Sequence, residues 1–476
     1  MNVTLGETLF DISSQQRFAD ASGDWNPIHM DPVAARRTQS GAQLVHGMHG
    51  ALCCLNAFAK TSSALPAISK LSIKFEAPIY VGDHAVFVLI SQTACQIMLA
   101  VEVRGIVLTS IRITAHGSTQ EEPIAMTSET LAAYPCEAAL NLNFTDIEAS
   151  VGQQQRIAIC RGAAALFPDA AQWIGGQRVA ALVTLSTIVG MRCPGLHSIF
   201  LGLTVTFAPE CHSDCIDYSV ASVDDRFHLV HLAINGGGLE GEVQALVRTP
   251  PVAQLSITDI ARRVEPMSFI GQHAFIVGGS RGLGECVAKV IAAGGGDVTI
   301  SYSSGVAEAK AIEAEIRTFG GRAEVVSYDV LNPSLPQLER LKAVPTHVYY
   351  FATNRISGRP GILFDPARLD LFMKFYVNGL FNLCSGLFSL TQQFKVFFPS
   401  TVYVEKHPKH MTEYAMAKAA GEVLCADLNV IFPGVTGLSH RFPRLKTDQT
   451  SSAMPETFVD TLDALLPEIL AMQSAP

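Results

Sequence analysis

No run of Lys or Arg longer than two residues occurs in the 476-residue chain, and its formal net charge is −9. Phosphate backbones are held by cationic surfaces, so no nucleic acid is expected as a partner. The pair Arg36-Arg37 is too short to alter that. None of the 11 cysteines forms a CxxC pair, and Cys211 and Cys215 have no second ligand pair close by. That pattern argues for reduced thiols in a cytoplasmic protein and for no metal. The opening residues "MNVTLGETLFDISSQQ" have neither a basic segment nor an apolar one, so no secretory signal is read there. The apolar run "HAVFVLISQTACQIMLAVEVRGIVL" is interrupted by Gln, Glu and Arg before it reaches spanning length, so no membrane is expected as a partner. What is present is a globular composition, 48% hydrophobic and 16% charged, with length for roughly two to four domains.

Two stretches look like copies. Residues 71–91, "LSIKFEAPIYVGDHAVFVLIS", and residues 203–222, "LTVTFAPECHSDCIDYSVAS", each pair an alternating strand with a Pro-containing turn and a second strand. Period-two alternation indicates half-buried antiparallel strands. "MHGALCCLNAFAKT" is apolar on nearly every side, as a helix wrapped by a sheet would be. The expected organisation is two related domains, 1–130 and 131–262. From 263 the rhythm changes to alternating strands and helices, beginning with "HAFIVGG", "RGLGECVAKVIAAGG" and "DVTISYS", which predicts a parallel sheet over 263–476.

In that last region "VGGSRGLGE" follows a strand and opens a helix, and Gly278, Gly282 and Gly284 have the spacing that brings backbone N–H groups to a pyrophosphate. "YAMAK" places Tyr414 and Lys418 on one helical face. Together with "YDV", "FATN", "FYVNGLF" and "PST" in that order, this region resembles the short-chain dehydrogenase/reductase family. The resemblance implies a Rossmann fold and a dinucleotide held by Gly278, Ser280, Arg281, Gly282, Leu283, Gly284, Tyr302, Ser303, Ser304, Asp329, Val330, Ala352, Thr353, Asn354 and Lys418. It further implies Tyr414 as general acid/base, Lys418 as the cation that lowers the phenol's pKa, and Asn378 as holder of a relay water. The substrate-polarising hydroxyl is Ser400 by residue type or Thr401 by position. "SYSSG" after the second strand has hydroxyls and no carboxylate, and Arg281 could meet a 2′-phosphate, so NADP(H) is the expected cofactor.

Near the N-terminus, "FADASGDWNPIHMD" followed by "LVHGM" resembles the MaoC-like (R)-specific hydratase family, whose fold is a hotdog. Asp24 and His29, either side of Asn26-Pro27, can hold one water between an acid and a base. Backbone N–H groups of Gly47 and Met48 would stabilise an enolate-like thioester oxygen, and His46 and His49 read as structural. The second repeat has no such signature: "STIVGMRCPGLHSIF" stands where the first repeat has its helix and contains no paired acid and histidine. It reads as a degenerate hotdog that shapes the acyl tunnel.

The whole chain therefore reads as multidomain α+β and α/β, a double hotdog followed by a doubly wound Rossmann sheet. The expected enzyme reduces 3-ketoacyl thioesters and interconverts the (R)-3-hydroxyacyl and trans-2-enoyl forms, on acyl-CoA or acyl carrier protein. The alternatives are the oxidative direction, or one active domain beside a binding or scaffold domain. A homo-oligomer is expected through the reductase helices "GLFNLCSGLF" and "EYAMAKAAGEVL".

Overall fold

The computed structural model describes residues 2–62, 65–119, 136–208, 213–356, 363–450 and 458–474. Two compact units meet in sequence at Pro250 and Pro251. The second unit thus starts ahead of the boundary at 262/263: Ile257 and Ile260, on the short helix Ile257–Ala261, pack into its core. The boundary expected at 130/131 lies outside the described residues.

The first unit is built on one ten-stranded antiparallel sheet. Its strands are β1 (Val3–Leu9), β2 (Pro66–Phe75), β3 (His84–Gln92), β4 (Gln96–Val103), β5 (Ile106–Thr119), β6 (Gln154–Ala158), β7 (Ser198–Phe207), β8 (Cys215–Asp224), β9 (Leu229–Gly236) and β10 (Leu239–Val247). From one edge the order is β1-β3-β4-β5-β2, and from the other it is β6-β8-β9-β10-β7. Each half therefore repeats the other, joined where β2 and β7 pair antiparallel with Ile73 opposite Leu203. The two sequence copies occupy equivalent places, β2–β3 and β7–β8.

Each half wraps a buried helix. In the first, Gly47–Thr61 buries Met48, Leu52, Leu55 and Phe58. In the second, Gly176–Thr187 is buried along its length from Val179 and runs on through a π turn, Ile188–Arg192. A helix apolar on all sides is stable only when enclosed, and the curved sheet encloses it. This is the expected double hotdog. Among the described residues no single helix is long and apolar enough to cross a membrane.

The second unit is a six-stranded sheet made of β11 (His273–Val277), β12 (Asp297–Tyr302), β13 (Arg322–Ser327), β14 (His347–Tyr350), β15 (Phe394–Thr401) and β16 (Val435–Phe442). The order is β13-β12-β11-β14-β15-β16 and every pairing is parallel. Counted within the unit this is the 3-2-1-4-5-6 order of a Rossmann sheet. Strands such as β14 are buried at every residue, as a sheet covered on both faces requires. The crevice at the carboxyl ends of β11 and β14, where the strand order reverses, is where such sheets bind ligands.

Candidate active sites

In the first unit the turn "DWNPIH" is locally determined. Asn26 caps the short helix Pro27–Met30, its Oδ1 accepting from Ile28 N, with Pro27 at the first helical position where its missing N–H costs nothing. Asp24 therefore lies just outside this helical turn and His29 inside it. Ligand atoms of Asp24, His29 and His46 all lie within 4.8 Å of one another. The Nδ1 of His29 donates to Leu44 O at 2.8 Å, which leaves Nε2 as the free, basic nitrogen. His46 stacks on His29 with ring centroids 4.0 Å apart, and its Nε2 donates to the main-chain carbonyl of Asp24 at 2.9 Å. That bond occupies the nitrogen a metal would need and gives His46 the task of holding the turn. His49 bonds to Gln15 Oε1 at 3.0 Å and stacks on Phe18.

The carboxyl of Asp24 is 1% exposed. Burial raises its pKa, opposed by His29, by the Ser186 hydroxyl and by the N–H of Asn26. Burial lowers the pKa of His29, opposed by Asp24 and by the bond to Leu44, while Arg248 pushes the same way as burial. Both shifts share one physical cause, the removal of water from a charged form. Burial thus favours the neutral form of both groups, and on Asp24 the hydrogen bonds from Ser186 and Asn26 oppose it.

Much of this hold comes from the second half. Ser186 Oγ donates to Asp24 Oδ2 at 2.6 Å. The Nδ2 of Asn26 donates to Gly190 O at 2.7 Å and to Gly195 O at 3.2 Å. Thr187 Oγ1 donates to Ser22 O at 2.6 Å, and Cys160 Sγ reaches the same carbonyl at 2.9 Å. At Gly190 the helix comes so close that a Cβ would lie 2.5 Å from Asp24 Oδ1. Ser186, Thr187, Gly190 and Gly195 all belong to "STIVGMRCPGLHSIF", the segment whose sequence shows no acid–histidine pair. Sequence reasoning missed them because a lone Ser and Gly on an apolar helix carry no motif.

Gly47 and Met48 open the Gly47–Thr61 helix with no side-chain cap, so their N–H groups are not taken by a neighbouring side chain. A Cβ on Gly47 would lie 3.0 Å from the ring of Phe75, so glycine is what lets that strand approach the helix start.

In the second unit the glycine loop joins β11 to the helix Gly282–Ala293. Its fit to a dinucleotide is testable on the glycines themselves. A Cβ on Gly284 would collide with Gly278 O, and one on Gly278 would lie 2.9 Å from Ala352 N, so strand, helix and the segment after β14 close tightly here. A Cβ on Gly282 would meet only Thr447 Cγ2, at an ordinary contact distance of 3.8 Å, but the backbone there has φ +58°. The helix N-terminus has no side-chain cap. These features suit a pyrophosphate. Ser280 is buried and Leu283 half-buried beside it. Tyr302 ends β12 and Ser303 and Ser304 follow it, with no carboxylate among them. Asp329 closes its own turn, accepting from Leu331 N and Asn332 Nδ2, next to buried Val330. Arg281 differs from expectation: its guanidinium pairs with the buried Asp448 at 3.3 Å, so a 2′-phosphate would have to share it.

Tyr414 and Lys418 are both buried on the helix Thr412–Ala426. Lys418 Nζ donates to Pro399 O at 2.6 Å and sits 4.1 Å from the centroid of Tyr376 and 4.6 Å from that of Phe398. Burial lowers its pKa to about 7. Burial raises that of Tyr414, which therefore holds its proton. Asn378 does not join them. It is exposed, at the end of a π turn, Lys374–Asn378, closed by Gly379 N to Lys374 O. Tyr376, two positions earlier in the same turn, faces Lys418 and bonds to Thr353 Oγ1. Ala352 and Asn354 are half-buried on either side of Thr353. Ser400, preferred by residue type, is engaged on another side. Its hydroxyl donates to Glu422, which Arg441 grips through Nε and Nη2. Thr401 Oγ1 accepts from Tyr403 N at 3.2 Å and keeps its own proton to donate.

These geometries define a hotdog unit with a buried acid–imidazole pair, followed by a Rossmann unit with a tyrosine–lysine pair. Residues 10–104 match the family model described as MaoC like domain, so the N-terminal part carries a MaoC-like dehydratase domain. The mitochondrial 3-hydroxyacyl-[acyl-carrier-protein] dehydratase of Arabidopsis thaliana is 34% identical over 79 residues, which is 16% of this chain and 45% of that protein, so the chain spans less than half of that relative's length. A short chain dehydrogenase from Burkholderia cenocepacia J2315 in complex with NADP is 21% identical, covers 44% of this chain and 94% of its own, and has a TM-score of 0.39. A dehydrogenase/reductase from Sinorhizobium meliloti 1021, also 21% identical, covers 45% and 92%, with a TM-score of 0.39.

Proposed function

We propose that the chain is a bifunctional enzyme of 3-oxygenated acyl thioesters: a dehydratase/hydratase in the first unit and an NADPH-dependent 3-ketoacyl reductase in the second. The observation that carries this reading is the buried Asp24–His29 pair, with the carboxyl bonded by Ser186 and Nε2 of the imidazole free. In hydration, the pair holds water; Nε2 of His29 takes its proton as the oxygen bonds to C3, the carboxylate of Asp24 steadies the imidazolium so formed, and that same proton is then given to C2. Dehydration reverses both transfers. The N–H groups of Gly47 and Met48 receive the charge that develops on the thioester oxygen.

Bound NADPH would supply a hydride. Gly278, Gly282 and Gly284 would hold its pyrophosphate, and the hydroxyls after β12 its ribose. Tyr414, kept protonated by burial, gives its proton to the carbonyl oxygen of the substrate. Thr401 orients that oxygen, and Lys418 lies beside the phenol, its Nζ 5.9 Å from the ring centroid of Tyr414. The reductase makes the 3-hydroxyacyl thioester that the dehydratase consumes, on CoA or an acyl carrier protein.

A 3-ketoacyl thioester with NADPH should give NADP and then the enoyl thioester. Tyr414→Phe should stop both, and Asp24→Asn should stop the second, leaving the 3-hydroxyacyl product. A second reading has specific support: Ser400 tied to Glu422, Asn378 outside the site and Arg281 paired with Asp448 fit a second unit that binds without reducing. Hydration of a crotonyl thioester with no NADPH oxidation would establish that reading and end the bifunctional one.

A further inference from the structure

Resting on the hydratase reading of the first unit, we propose that Arg248 anchors a carboxylate carried on the acyl part of the thioester substrate. Arg248 follows β10 in the second half and is not used by the water-handling chemistry above. Its Nη2 donates to Leu196 O at 3.0 Å, but Nε and Nη1 are buried with no hydrogen-bond partner. The main-chain N–H of Arg248 donates to His197 O at 2.7 Å, and the buried Nδ1 of His197 also lacks a partner. Among the described residues no carboxylate pairs with this guanidinium.

A buried cation without a counter-charge is costly, and orphaned donors of this kind point to a ligand that supplies the acceptor. Burial brings the guanidinium down to about 10, so it stays charged at neutral pH. A planar group with two unpaired N–H positions suits a carboxylate.

The place of Arg248 says which part of the substrate it meets. Leu196 O, its one side-chain acceptor, also lies 3.5 Å from Nδ2 of Asn26, the residue of the turn between Asp24 and His29. The charge of Arg248 is felt at His29. The phosphate of a pantetheine arm is separated from the thioester by two amides and their methylenes, too far to be the group received here. A carboxylate a few bonds from the reacting double bond is the group within reach.

The test compares kcat/KM for hydration of 4-carboxybut-2-enoyl-CoA and crotonyl-CoA by the full chain. The wild type should prefer the carboxylated substrate, and Arg248→Met should lower that preference roughly 10- to 100-fold, the range of one charge-assisted contact. Arg248→Lys keeps the charge without the fork and should fall between them, which separates recognition from misfolding. An equal loss on both substrates, or no preference in the wild type, overturns the proposal. A loss shared by both CoA esters that disappears with their N-acetylcysteamine thioesters would assign the contact to phosphate and also overturn it. Hydration of neither substrate by the wild type would bring down the hydratase reading itself.

Discussion

The hydroxyl of Ser186 donates to the carboxylate of Asp24 at 2.6 Å, with both residues buried and 162 positions apart in sequence. The half without an acid–histidine pair thus builds part of the site of the half that has one. The proposed chemistry uses Asp24 in its ionised form, and this bond opposes the upward push of burial. Ser186→Ala should raise the carboxyl's pKa, by roughly one to two units for a hydrogen bond to a charged group. The acid limb of kcat/KM for hydration should then move to higher pH by that amount, and Ser186→Thr should restore most of it. An unmoved limb would show that Ser186 serves packing alone.

Gly190 offers a steric counterpart. A Cβ there would lie 2.5 and 2.7 Å from the two carboxylate oxygens of Asp24. Gly190→Ala must therefore push the helix or the carboxylate aside. Hydration should fall about 100-fold, because reacting groups misplaced by about an ångström lose that much. The first unit should lose about 1–3 kcal/mol, the usual range for overpacking. Urea denaturation followed by a probe in the first unit reads the second number.

Asn26 spans both halves: its amide donates to Gly190 O and Gly195 O and its oxygen caps the His29 helix. Asn26→Asp keeps the cap but turns the donor into an acceptor facing two carbonyls. A destabilisation of about 2–3 kcal/mol is expected at neutral pH, from unpaired buried acceptors. Asn26→Ala, which loses the cap as well, should be no milder. A smaller effect in Asn26→Ala than in its isosteric neighbour would place the stress in repulsion rather than in lost bonds.

Lys418 makes the second unit's stability depend on pH. Its pKa is about 7 when folded, against 10.5 for an unburied lysine. Between those values the unfolded chain binds a proton that the folded chain does not, so stability rises with pH across the window. Below about 7 the cost of the buried charge is fully present. Lys418→Met should therefore gain most over the wild type near pH 6, and the gap should narrow towards pH 10. Thermal melts of both chains across that range measure it, and a gap independent of pH would contradict it.

The two hydroxyls of β15 should separate in the reductase assay. Thr401→Val should reduce kcat about 100-fold, as loss of one polarising donor does. Ser400→Ala should act chiefly on stability, through the Glu422–Arg441 pair.

Local chemistry was legible in the sequence and long-range chemistry was not. Asp24, Asn26 and His29 sit in one turn whose capping and proline placement are written in six residues, and the glycine loop and "YAMAK" are equally local. Ser186, Gly190 and Arg248 acquire meaning only when the second half folds against that turn. Tyr376, two positions before Asn378, is the residue that faces Lys418, and nothing in "FYVNGLF" signals it. Residue type likewise says nothing of Glu422, to which the Ser400 hydroxyl is bonded.

The hydration rate of a crotonyl thioester, measured for the wild type, Asp24→Asn and His29→Ala at matched melting temperature, tests the central claim most directly. Readily measured hydration by the wild type, with losses of at least about 100-fold in each variant, is expected when a general acid or base is removed. Hydration undiminished in both variants would place the chemistry elsewhere in the chain.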